Sequence, residues 1–157
     1  MNMARSAYLA SRLREVLLNG TWIANTNCSD QIRNTSWMLA VRQVSNLNSV
    51  ALLTFHLNYY LKGLLHVLNG GQLEIRDKFS FDMPLITSED DWKELVSSFL
   101  MHAEAFAQKV EALPDTLLDE PFTDVKYGSY LRNIEGVIEH SYYHLGQMVL
   151  IRKLMNE

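Results

Sequence analysis

Apolar residues recur at helical spacing in four stretches of this sequence, and that period limits the fold more than any other feature. The first stretch runs from about Ala4 to Leu18, with Leu9, Leu13, Val16 and Leu17 on one face and Arg12 and Glu15 on the other. Asn19-Gly20 predicts its end, with Gly20 in the left-handed C-cap conformation that a side chain would strain. The second runs from about Ser49 to Leu68, with Asn48 as N-cap, and stops at Asn69-Gly70-Gly71. The third starts near Ser88, where a hydroxyl cap and the acids Glu89, Asp90 and Asp91 suit the positive end of a helix dipole. Trp92, Leu95, Val96, Phe99, Phe106 and Val110 form its buried stripe, and Leu113-Pro114-Asp115 ends it. The fourth spans about Ser129 to Met155.

Between these stretches the pattern breaks. Asn25 to Asp30 reads as loop, a short helix is expected over about Ser36 to Gln43, and residues 72–87 read as irregular around Pro84. Gln72 to Ile75 can extend but has no strand partner, so no sheet is expected. Four amphipathic helices without strand signals imply an all-α fold, a four-helix bundle.

At 157 residues the chain fits one domain, taken as residues 1–157, and buries roughly two-thirds of its unfolded surface. A metal would add function to such a chain without being required for its folding. The net charge of −4, with scattered Lys and Arg, offers no basic patch for nucleic acid. Cys28 is the only cysteine, so no internal disulfide forms, and a reducing compartment follows. The first twenty residues interleave charge with apolar positions, unlike a signal peptide, and no apolar run is long enough for a bilayer. The expectation is a cytoplasmic protein without a membrane or nucleic-acid partner.

The chemistry lies in the histidines. His140 and His144 differ by about 40° on a helical wheel and sit one turn apart, a spacing that can present two imidazoles to one ion. They border the apolar face of Leu131, Ile134, Val137, Ile138, Leu145, Met148 and Val149, beside Asn133, Gly136 and Gln147. Gly136 removes bulk there. Catalytic zinc sites keep three protein ligands, and His56 is the best third. It shares a face with Leu52, Leu53, Tyr60, Gly63 and Val67, and Gly63 again leaves space. Spacing alone leaves two readings open, hydrogen-bonded core histidines or a His₃ site for a divalent transition metal. His66 projects away from His56 and reads as partly exposed. His102 reads as a core-edge residue, with a fourth ligand or a supporting donor as alternatives. Glu139 reads as solvated, Tyr142 and Tyr143 as packing residues, and Cys28 as an inert thiol.

The mid-chain helical His followed by Ile-Glu-His-Ser-Tyr-Tyr-His-Leu-Gly-Gln-Met-Val-Leu-Ile-Arg-Lys-Leu, from Ile138 to Leu154, resembles the DinB/YfiT-like superfamily. The resemblance covers most of the chain and is most specific in that last segment. It implies a bundle with one long crossover connection, a His₃ site at His56, His140 and His144 for Ni or Zn, and a homodimer. Some members use the metal to activate a low-molecular-weight thiol, so a small-molecule substrate is expected. Two function classes follow. One is a metal-dependent thiol S-transferase or hydrolase, with catalytic side chains unassigned beyond Gln147 and Tyr60 as supporting groups. The other is a non-enzymatic metal- or ligand-binding stress-response bundle. An open coordination position beside a solvent-reachable pocket favours the first. A closed site, or histidines hydrogen-bonded among themselves, favours the second.

Overall fold

The computed structural model describes residues 4–155; residues 1–3 and 156–157 of the expected 1–157 domain lie outside the described residues. The chain is all-helical. The helices are α1 (Arg5–Arg14), α2 (Cys28–Arg33), α3 (Trp37–Ala40), α4 (Val50–Leu68), α5 (Glu89–Glu111) and α6 (Tyr130–Leu154). Among the described residues there is no strand, and one isolated bridge joins Pro121 to Ser129.

Each long helix after α1 starts on a serine whose hydroxyl satisfies an otherwise orphaned backbone N–H. Ser49 accepts from the amide of Leu52, Ser88 from Asp91 and Ser129 from Arg132. The cap of α4 is therefore Ser49 and not Asn48. At its other end α4 closes as a Schellman motif. Gly70 takes φ +92°, and the amides of Gly71 and Gly70 donate to the carbonyls of His66 and Val67 at 2.9 Å each.

The first helix departs from expectation at its end. After α1 the chain widens into a π-helical turn, Glu15–Asn19, closed by the Gly20 amide on the Glu15 carbonyl at 3.1 Å. Gly20 is extended, with φ −91°, and not left-handed. Its role is steric: a Cβ there would lie 2.6 Å from the Cα of Glu15. The start of α1 also lacks a local side-chain cap, and Asp115 supplies one from a distant segment, accepting from the amides of Arg5 and Ser6 at 2.9 Å each.

The run read as loop, Asn25 to Asp30, overlaps the first half of α2. Asn27 caps it by accepting from the Asp30 amide, and Cys28 and Ile32 are fully buried beneath it. The helix expected over Ser36 to Gln43 is the single turn of α3.

Helix α5 packs between α1 and α4, and α6 packs against α4 and α1. Leu9, Leu13, Val16 and Leu17 meet Phe99, Phe106, Leu53, Leu61, Leu145 and Met148 in one core. Each such side chain stabilises the fold by about 1.5–3 kcal/mol on burial. Leu95, Val96, Leu131, Val137 and Val149 pack at its margin.

The connection from Asn69 to Ser88 lies along α4. Ile75 occupies the position beside Gly63, where a Cβ would stand 2.4 Å from its Cγ1. The gap expected at Gly63 is thus filled. The Tyr59 hydroxyl bonds both the amide and the carbonyl of Arg76, and the Tyr60 hydroxyl donates to Asp77 at 2.8 Å. These bonds bring Ser80 and Phe81 over His56. No helix among the described residues is long and apolar enough to cross a membrane.

Candidate metal centre

His56 points from α4 into the space between α4 and α6, and His140 and His144 point from α6 into the same space. His56 and His144 are buried and His140 is half-buried. Nε2 of His140 lies 3.1 Å from Nε2 of His56 and 2.8 Å from Nε2 of His144. The three residues each offer one ligand nitrogen, all within 4.8 Å of one another, and could hold a metal ion.

The outer ring nitrogens decide what that convergence means. Nδ1 of His56 faces the carbonyl of Ser80 at 3.2 Å, and a carbonyl only accepts, so Nδ1 carries the proton. Nδ1 of His144 donates to the amide oxygen of Gln147 at 2.6 Å. Both residues therefore turn a bare Nε2 lone pair inward. Nε2 of His140 stands close to both, and a proton on it can serve only one of them. Two or three lone pairs facing one another within a desolvated space repel unless a cation lies between them. Tetrahedral ligands about 2.0–2.1 Å from a zinc ion would stand about 3.3 Å apart, close to the spacing here. The three histidines could hold a metal ion through their Nε2 atoms, with His56 and His144 oriented by the outer acceptors Ser80 and Gln147.

Burial favours the neutral form of all three rings. Burial lowers the pKa of His140 to about 4, with the neighbouring His144 and His56 adding to the shift. Burial and then His144 lower His56, against the opposing pull of Ser80 and Asp77. Burial lowers His144 as well, opposed by Gln147. Neutral imidazole is the form that ligates.

Aromatic rings wall the centre. Phe81 stacks on His56 with centroids 4.1 Å apart and planes 10° from parallel. Tyr60 stands edge-on to His56 and His140, at 5.1 and 5.4 Å. Its hydroxyl, expected as a supporting group, donates to Asp77. On the open side His140 borders a cavity of about 620 Å³ that also meets Tyr60, Asp77 and Gly136. A Cβ on Gly136 would meet nothing within 4 Å, so this glycine does leave space.

The other candidates lie elsewhere. His66 is exposed. His102 lies with its Nδ1 2.8 Å from the side-chain oxygen of Asn58, outside the cluster, and burial, then Lys62, lower its pKa. Cys28 is fully buried and its thiol is pushed up to about 12. Glu139 is exposed and pairs with Arg132. Tyr142 packs at the core margin and donates to Glu15 at 2.9 Å, whereas Tyr143 is 64% exposed and so is not a core packing residue.

Sequence reasoning missed Ser80, Phe81 and Asp77. Ser80 acts through its main-chain carbonyl, which no residue type announces. Phe79-Ser80-Phe81, the two aromatics of the irregular run 72–87, was the available signal.

Comparison of the chain with protein-family models, with curated proteins and with solved structures gives no match. The functional reading therefore rests on the geometry of the three histidines.

Proposed function

We propose that the chain is a metal-dependent enzyme of the DinB/YfiT type, a four-helix bundle with a long crossover connection whose His56, His140 and His144 bind nickel or zinc. Its reaction would be transfer of a low-molecular-weight thiol to an electrophile, or hydrolysis of a small substrate. The observation that carries this reading is the convergence of three Nε2 atoms, two of them held as lone pairs by Ser80 and Gln147. A divalent ion held by three neutral ligands keeps its full charge, and when bound it would lower the pKa of a thiol or water near it. The chain's own part is to orient the imidazoles through Ser80 and Gln147, to exclude water on the Phe81 side, and to leave the His140 side open to the cavity. The lengths of α4, α5 and α6 and the connection over residues 69–88 support the bundle assignment.

One observation favours the non-enzymatic alternative: the Nε2 to Nε2 approaches are of hydrogen-bond length. A bundle that only binds metal, or whose histidines bond one another, would share them. Metal analysis of the untagged protein separates the cases. We expect one nickel or zinc per chain, lost in His144→Ala without loss of helical circular dichroism, because apolar burial suffices to fold a chain of this size. Protein that never takes up metal, even when refolded with it, would reject the metal centre. For the reaction, conjugation of glutathione, bacillithiol, mycothiol or coenzyme A to a panel of electrophiles should be faster with the loaded protein than with His140→Ala. Equal rates would leave the binding reading standing.

A further inference from the structure

The cavity beside His140 is large enough for a ligand of drug size, at about 620 Å³. Leu64, Leu73, Ile75, Phe122 and Val137 give it an apolar wall. Two glycines shape it in opposite ways. Gly63 lets Ile75 settle onto α4 and form part of that wall. Gly136 faces open space within α6, although glycine disfavours a helix interior relative to alanine and no packing here demands it.

The polar groups at the rim differ in what they have left to offer. The Asp77 carboxylate accepts from the Tyr60 hydroxyl at the histidine end. The side-chain amide of Asn133 is occupied by the carbonyls of Tyr127 and Ser129, at 2.8 Å each. Arg132 pairs through Nη1 with Glu139 at 3.0 Å. That bond holds the guanidinium while Nε and Nη2 have no partner among the described residues, leaving a planar fork of donors free. Arg132 lies about two helical turns before His140 on α6.

We propose that this cavity binds a small carboxylic acid with an apolar, ring-sized body, its carboxylate on Arg132 and its other end at the histidine cluster. The orientation rests on the reading of that cluster as the metal centre; the recognition by Arg132 and the apolar wall does not. Glu139 tempers the preference, since its carboxylate competes for the same guanidinium.

The test uses 4-phenylbutanoate and its uncharged amide, titrated into the full chain by amide-resolved NMR, metal-free and zinc-loaded. In metal-free protein the acid should bind about fivefold tighter than the amide, a modest factor because Arg132 is exposed. Arg132→Gln should remove that preference, and Glu139→Gln should increase it. Gly136→Leu should block both probes, while Gly136→Ala, which adds a methyl to open space, keeps the fold and the preference for acid. Equal affinity for acid and amide, or a preference unchanged in Arg132→Gln, would overturn the proposal even if the protein binds zinc. A protein that prefers the acid through Arg132 but takes up no metal would uphold the cavity and reject the metal centre instead.

Discussion

The amide oxygen of Gln147 lies 2.6 Å from Nδ1 of His144, one turn earlier on the same helix, so α6 supplies both an inward-facing imidazole and the acceptor that fixes its tautomer. Gln147→Ala should lower metal affinity by roughly 10- to 100-fold, the range found when such supporting partners are removed. Gln147→Glu keeps an acceptor and should stay near the wild type. Competition with a chromophoric chelator measures both. Equal affinity in Gln147→Ala and the wild type would show that packing alone orients His144.

Gly63 and Ile75 form a second testable pair. Gly63→Ala places a methyl 2.4 Å from the Ile75 Cγ1, so the side chain and its segment must move. Overpacking of this kind costs about 1–3 kcal/mol, against about 1 kcal/mol gained in helix propensity. A net loss of stability is expected on urea unfolding. Ile75→Ala in the same chain should relieve the clash, making the double mutant more stable than the sum of the two single changes predicts. Simple additivity would mean that Ile75 does not rest on Gly63.

Asp115 ties stability to acid pH. Its carboxylate accepts from the amides of Ser6 and Arg5, and these bonds, in that order, hold its pKa below the usual carboxylate range. A depressed folded-state pKa means that the stabilisation is complete above the unfolded-state value near 3.8 and disappears as pH falls through the lower folded value. Asp115→Asn should therefore melt below the wild type at pH 7, and the two melting temperatures should converge as Asp115 of the wild type becomes protonated. A constant gap at every pH would assign the effect to shape and not to charge.

Cys28 should be silent in the native protein. It is fully buried with its thiol raised to about 12, so an aromatic disulfide reagent should react only at the rate of unfolding and in full in denaturant. Rapid native labelling would show that α2 opens readily.

The long helices were legible because their apolar periods are long and their ends carry serines, acids and Asn-Gly-Gly. The inward turn of His56, His140 and His144 was legible for the same reason, as wheel position places a residue against the core. Helix α2 was not. Its six residues include few apolar positions, and its signature is the Asn27 cap with Asp30 three residues on, inside a run whose composition reads as loop. The acceptor on His56 was hidden as well, because a carbonyl at Ser80 looks like any other until the connection is laid along α4. Gly63 and Gly136 read alike in sequence, yet only the arrival of Ile75 separates the filled position from the open one.

His56 and His140 are 84 residues apart in the chain, and their Nε2 atoms are 3.1 Å apart in the fold. An ion bound there would act as a removable cross-link between the two halves of the sequence, closing a loop whose entropy grows only slowly with length. Amide hydrogens along α4 and α6 would then exchange more slowly in the loaded protein, those of α1 and α5 would slow less, and a chelator would erase the difference without unfolding the chain. The seam between α4 and α6 would set how often this protein opens, and metal supply would set the seam.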